Sequence, residues 1–155
     1  LIMEANFKGF DLHLLWTGAT HVSRLFDESF KRPFGPTHGF GLMKYMADGA
    51  WTEETAATAT FPRMTFSGIE NNVKSSDFWL RDASYIRLKN LELGYNFKII
   101  GTLKRLGVSN LRVYTNGFDL LTFDRIKLID PESVPTGNAQ YPLMKLYNFG
   151  INVTF

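Results

Sequence analysis

The sequence predicts an all-β fold in which about four long strands form an antiparallel meander. Several segments alternate apolar and polar residues with a period of two, which places successive side chains on opposite faces of a strand. No apolar run approaches the roughly 18 to 20 residues that a membrane-spanning helix needs. The connections between the alternating segments are very unequal in length, which predicts short turns at one end of the sheet and long loops at the other.

The first strand is predicted at about residues 6–18. Its apolar face carries Phe10, Leu12, Leu14 and Trp16. A long segment rich in Gly, Pro, Thr and Asn follows at about 19–77, and one short helix is expected within it near residues 42–47. A loop of this length counts against a small soluble domain, but long loops are typical of outer-membrane barrels.

The second strand is predicted at about residues 78–98, which is long for a strand of a globular protein. Its apolar face carries Leu91, Leu93, Tyr95 and Phe97, and its polar face carries Asn90, Glu92 and Asn96. A short polar link leads to the third strand at about 110–123, a segment rich in residues that favour strands.

The fourth strand is predicted at about residues 143–155, after a loop at about 124–142 that contains Pro and Gly. It shows the clearest alternation in the chain. Its apolar face carries Tyr147, Phe149, Ile151 and Val153, opposite Asn148 and Asn152. The printed sequence ends on the aromatic residue Phe155.

Four strands of this kind predict a fragment of a larger sheet. A four-stranded sheet has two open edges, and in hydrocarbon every unpaired backbone group costs several kcal/mol, which only barrel closure removes. In water, the long apolar faces need a second layer, and no long amphipathic helix supplies one. No signal peptide is visible in LIMEANFKGF, so the chain is expected either to be cytosolic or to lack its beginning.

Several longer segments resemble one protein family. They are GFDLHLLWTGA at 9–19, WTEETAATATFPRM at 51–64, WLRDASYIRLKNLELGY at 79–95, LRVYTNGFDLLTF at 111–123, DPE at 130–132 and YPLMKLYNFGINVTF at 141–155. Together, and in this order, they are similar to the C-terminal strands of SusC/RagA-like TonB-linked outer-membrane proteins of Bacteroidetes.

The resemblance implies that residues 1–155 are the C-terminal part of a transmembrane, 22-stranded β-barrel in the bacterial outer membrane. In this family the barrel is plugged by an N-terminal domain and energised through the TonB complex, and a SusD-like surface lipoprotein captures glycans or peptides for import. The loops at 19–77 and 124–142 would then be extracellular. The twelve apolar residues named on strands one, two and four would face lipid, and Phe155 would belong to the signal read by the barrel-assembly machinery.

Other chemistry finds little support in the sequence. Cys is absent and the net charge is +2 with mixed signs, which excludes thiol enzymes and argues against a nucleic-acid partner. His13, His21 and His38 match no common zinc spacing, and Glu53 and Glu54 are adjacent loop carboxylates without the alternation of a calcium loop. We therefore expect no catalytic site, no metal and no cofactor.

Four aromatic residues near the predicted loops or strand ends are candidate contacts for substrate or for the loops themselves. They are Trp51, Phe61, Trp79 and Tyr141. Aromatic rings can pack on sugar rings, but aromatic girdles at the membrane interface and packing within loops are the more frequent roles.

Two other classes of protein compete with the transporter. A soluble β-sandwich that binds carbohydrate would also have short strands and exposed aromatic residues. A glycoside hydrolase needs only two carboxylates across a cleft, although nothing in this sequence points to a pair. Solubility without detergent would favour the sandwich, and sugar release from a glycan would favour the hydrolase.

Overall fold

The computed structural model describes residues 1–34, 41–66, 69–133 and 143–155, and the chain divides into two compact units. The sheet unit comprises Leu1–Val22, Ala83–Pro131 and Pro142–Phe155. The loop unit comprises Ser23–Asp82 and Glu132–Tyr141. Among the described residues, no helix is both long and apolar enough to cross a membrane.

Seven strands form in the described residues. They are β1 (Ile2–Phe7), β2 (Phe10–Ala19), β3 (Ser23–Leu25), β4 (Leu80–Asp82), β5 (Tyr85–Phe97), β6 (Asn110–Asp124) and β7 (Leu146–Thr154). In the sheet unit, the order β1-β2-β5-β6-β7 gives a five-stranded sheet in which every neighbouring pair is antiparallel. The all-β, antiparallel meander predicted from the alternation is confirmed; its sheet has five strands instead of about four, and β3 and β4 form a separate two-stranded sheet.

The additional strand is β1, which pairs with β2 through a two-residue turn. Lys8 and Gly9 both have positive φ, at 48° and 93°, as a tight turn with the twist of a hairpin requires. A Cβ on Gly9 would lie 2.9 Å from the carbonyl oxygen of Asn96. The first predicted strand, 6–18, therefore spans this turn, and the weak alternation of Met3, Ala5 and Phe7 was the signal for β1.

The second strand is shorter than predicted at its beginning. Residues 77–79 form one turn of 3-10 helix, and Leu80–Asp82 pair with β3 rather than with β2. The long ladder begins only at Tyr85. Alternation alone could not show this change of partner, because β4 and β5 are both extended.

The loop unit has a small aromatic core. It holds α1 (Lys44–Gly49), which is the predicted short helix, together with α2 (Glu70–Val73) and the β3–β4 pair. Phe26, Met46, Phe61 and Trp79 are buried in it. Trp79 donates through Nε1 to the carbonyl oxygen of Asn72 at 2.8 Å, so its buried N–H is satisfied.

The connections of the sheet unit follow the predicted asymmetry. At one end, the Lys8-Gly9 turn joins β1 to β2, and residues 98–109, which include α3 (Thr102–Arg105), join β5 to β6. The long connections, 20–84 and 125–145, both leave from the opposite end.

Candidate functional site

One face of the sheet is apolar across the four strands from β2 to β7. Residues that pair directly across strands share a face, and the register places Leu12, Leu93, Thr115 and Phe149 in one row. All of the residues predicted to face lipid lie on this same face, namely Phe10, Leu12, Leu14, Trp16, Leu91, Leu93, Tyr95, Phe97, Tyr147, Phe149, Ile151 and Val153.

The side chains that β7 contributes to this apolar face are exposed. Phe149 is 84% exposed and Ile151 is 67% exposed. Burial of a large apolar side chain is worth about 1.5 to 3 kcal/mol, so such a surface requires an apolar environment. Among the described residues of the sheet unit, no second sheet packs on this face, which counts against the β-sandwich alternative.

The opposite face is polar. One row crosses all five strands through Glu4, His13, Glu92, Asn116 and Asn148. Asn148 donates through Nδ2 to Oδ1 of Asn116 at 2.9 Å. An apolar face and a polar face on the same strands are the two sides of a membrane barrel wall.

Arg112 is the centre of a charged cluster on the polar face. Its Nε donates to Oδ1 of Asp11 at 3.1 Å, its Nη2 donates to Oδ2 of Asp11, and the same Nη2 donates to Oε1 of Glu92 at 2.6 Å. Asn96 donates to the Asp11 carboxylate at 2.7 Å. The cluster joins β2, β5 and β6, because each strand contributes at least one member.

Gly94 leaves the space that this cluster occupies. It pairs with Asp11 on one side and with Tyr114 on the other. A Cβ at this position would lie 2.6 Å from Nε of Arg112 and 2.5 Å from Oδ2 of Asp11. The glycine on the polar face of β5 therefore leaves room for the ion pair between Asp11 and Arg112 to cross it, and a larger residue would displace these side chains.

A bulge in β5 directs a second arginine to the polar face. The register shifts between Leu88 and Asn90, so Lys89 is an extra residue in β5. Counting every second residue back from Leu91 therefore gives the wrong face for residues before Lys89. Arg87 would otherwise share the apolar face. Instead it pairs with Thr17 and Thr122, is 2% exposed, and donates to Oγ1 of Thr122 at 2.9 Å and to the carboxylate of Asp130.

Three charged residues were therefore not identified from the sequence as parts of a network. Asp11 and Arg112 are far apart in the chain, and only the register brings them together. Arg87 was hidden by the bulge, although Asp130, its partner, lies in the DPE segment that carried part of the family resemblance. The sequence did contain one signal for this network, namely that Arg87 is a charged residue at a position where the alternation predicts an apolar one.

The candidate aromatic contacts lie mostly inside the loop unit. Phe61 and Trp79 are 4% and 2% exposed and pack against one another with ring centres 5.6 Å apart, so neither ring forms an exposed platform for a sugar. Trp51 is 37% exposed. Tyr141 lies outside the described residues, as does His38. No group of three or more His, Asp or Glu suited to a metal occurs among the described residues.

Tyr45 is a buried hydroxyl of the loop unit. Its Oη donates to the carbonyl oxygen of Phe30. Burial raises the pKa of Tyr45 to about 12, against a smaller opposing effect of the positive charge on Arg81.

We expect Tyr45 to make the loop unit sensitive to alkali. A folded pKa above the unfolded value of about 10 gives a stabilising contribution that is present below that pH and is lost as the pH rises through the folded pKa. A difference titration of tyrosinate absorbance, whole protein minus its Tyr45→Phe variant, should show a step near pH 12. A step near the ordinary tyrosine pKa would contradict the burial.

Comparisons of sequence relate the chain to TonB-dependent receptors. No protein-family model matches it. It is 27% identical to the TonB-dependent receptor P26 of Formosa agariphila over 97% of this chain and 16% of that receptor. It is 31% identical to the TonB-dependent receptor P3 of the same organism over 50% of this chain and 9% of that receptor. The chain thus spans only a small part of the curated relatives it matches.

Comparisons of structure agree with those of sequence. The chain matches the RagAB peptide transporter at a TM-score of 0.68 and 26% identity, over 98% of this chain and 16% of the matched chain. It matches the RagAB peptide importer in its closed-closed state at a TM-score of 0.67 and 27% identity, with the same coverage. Taken with a sheet that has one apolar and one polar face, these matches support a fragment of a TonB-dependent receptor, a kind of β-barrel protein of the bacterial outer membrane.

Proposed function

We propose that the chain supplies the C-terminal strands of a 22-stranded barrel that imports nutrients, either glycans or peptides. The observation that carries this proposal is the five-stranded sheet, with one exposed apolar face, one polar face, and a single described neighbour for each of β1 and β7. Such a sheet satisfies its backbone in a membrane only if further strands close it into a barrel.

Within this barrel, the apolar face contacts lipid and the polar face lines the interior. The twelve apolar residues named above form the lipid contact, and the cluster around Arg112 lies on the inner wall. The ends with short connections face the periplasm, and the ends with long connections face outward. Phe155, which is 82% exposed, belongs to the signal for the barrel-assembly machinery.

The partners in this proposal follow from the family resemblance. A SusD-like surface lipoprotein captures the nutrient above the barrel, and the TonB complex acts through a part of the receptor that lies outside these residues. The chain itself carries no catalytic role in this account. The similarity to structures of the RagAB peptide transporter supports import as the activity and peptides as one substrate class.

Deletion of the gene for the whole receptor tests this function. We expect the deletion strain to lose growth on one class of nutrient, either a polysaccharide or a peptide mixture as sole source, and to regain it when the receptor gene is restored. We also expect a tagged receptor, extracted in mild detergent, to bring down a surface lipoprotein encoded beside it. Unchanged growth and uptake on all polysaccharides and peptides that the wild-type strain uses would contradict the proposal.

A further inference from the structure

A small cavity in the loop unit is lined partly by cationic side chains and partly by apolar ones. Three cationic side chains line it, Lys31, Arg32 and Arg63, and no carboxylate lines it among the described residues. Its volume is about 20 Å³, which is enough for one water-sized group. The cavity therefore suits the oxyanion end of a ligand rather than a whole sugar ring.

Lys31 is the unusual member of this group. It is only 6% exposed, and a buried ammonium is costly unless it is paired. Arg32 is paired, with its Nη2 3.0 Å from Oε1 of Glu70. In the part of the chain that the structure describes, neither Lys31 nor Arg63 has a carboxylate at ion-pair distance. Among the described residues, Lys31 and Arg63 thus have no carboxylate as a counter-charge at this cavity.

A hydroxyl at the same cavity also has no partner. Oγ1 of Thr65 is buried and makes no hydrogen bond, although buried polar atoms are nearly always paired in folded proteins. A ligand oxygen in the cavity would accept from this hydroxyl and from the Lys31 ammonium. Both observations are explained by the same kind of ligand.

Two stacked aromatic residues directly follow two of the cavity-lining residues in the sequence. Pro33 and Thr65 line the cavity, and the next residue after each is an aromatic one. These two rings, Phe34 and Phe66, stack with centres 4.9 Å apart, and Phe66 is 83% exposed. An exposed ring beside a cationic cavity suits a ligand that carries an anionic end next to an apolar or ring-shaped group.

We propose that this cavity binds a carboxylate of the molecule that the receptor imports, with Lys31, Arg63 and Thr65 as its partners and Phe66 against the adjacent group. The inference rests on the proposed function, because it makes the loop unit a binding surface for the imported nutrient. A carboxylate could come from the end of a peptide or from an acidic sugar, and the chemistry of recognition is the same for both.

Paired probes test the proposal on the whole receptor, purified in detergent together with its partner. The first pair is a short apolar peptide with a free carboxyl end and the same peptide amidated. The second pair is an oligosaccharide ending in a uronic acid and the same sugar with the acid reduced to the alcohol. We expect one of the two acids to bind roughly tenfold more tightly than its neutral counterpart, as a charge-assisted hydrogen bond provides.

Variants then assign the preference to the cavity. Lys31→Met keeps most of the buried stem and removes the charge, and Arg63→Gln changes an exposed residue, so at least the second should fold normally. Each is expected to remove most of the preference for the acid. Lys44→Gln is the control, because it removes an equal charge from an exposed lysine of the same unit that does not line the cavity.

The proposal is overturned if neither acid is preferred by the wild-type receptor, or if the preference survives both Lys31→Met and Arg63→Gln. Uptake by cells is measured separately with the same probes. Uptake without any preference for the acid would remove the carboxylate site and leave the import function standing. Preferential binding of the acid without uptake of any nutrient would support the carboxylate site and contradict the import function.

Discussion

Phe149→Asp and Ile151→Asp are each expected to abolish assembly of the receptor in the outer membrane. Both residues lie on the apolar face of β7, 84% and 67% exposed in the chain by itself, and in the proposed barrel an aspartate there would enter hydrocarbon. A charge on the lipid face near the bilayer midplane costs on the order of 2 kcal/mol. The loss of the heat-modifiable receptor band from outer-membrane fractions measures the effect.

Asn152→Asp is the matched control for these variants. It introduces the same residue next to Ile151, but on the polar face, in a position paired with Arg112. We expect it to assemble at the wild-type level. Equal assembly of all three variants, or equal failure, would mean that the two faces of β7 are assigned incorrectly.

Arg112→Met is expected to destabilise the assembled barrel by roughly 2 kcal/mol, since it leaves two neighbouring carboxylates without their shared cation. The charged side chains of Asp11, Glu92 and Arg112 are each 20% to 30% exposed, so the cost is lower than for a fully buried pair. The stability of Arg112→Lys should lie between that of the wild-type receptor and that of Arg112→Met. A lysine keeps the charge but cannot form the two-pronged contact with Asp11.

A double-mutant cycle separates this ion pair from general damage to β6. Asp11→Asn and Arg112→Gln are measured singly and together by the denaturant concentration at which the heat-modifiable form is lost. The double variant should be less destabilised than the sum of the single variants by about 1 kcal/mol or more. Strictly additive losses would show that the two side chains contribute independently.

The alternation of residue types was sufficient to predict the two faces of β7 and of the regular parts of β2 and β5. On β7 every second residue from Tyr147 to Val153 is apolar, and a period of two has only one structural interpretation. The predicted short helix and the asymmetry of the connections also followed from composition. These features are local, so they can be read from a single stretch of sequence.

The features that the sequence did not reveal depend on pairing between distant strands. The Lys8-Gly9 turn, the bulge at Lys89 and the change of partner before Ala83 each alter which residues face one another. The contact between Asp11 and Arg112 follows only once the register of three strands is known. The aromatic core of the loop unit was not predicted for the same reason, because its residues come from segments that are far apart in the sequence.

Accessibility along β7 tests the central claim most directly, namely that this sheet is a barrel wall with one face in lipid. The chain contains no cysteine, so single cysteines can be placed from residue 146 to 154 in the whole receptor after any cysteine elsewhere is replaced. With spin labels at these positions, we expect collisions with oxygen in the lipid phase to be high at residues 147, 149, 151 and 153, and collisions with a water-soluble nickel complex to be high at the residues between them. An absence of this two-residue alternation, or free access of the nickel complex to both sets, would contradict the account.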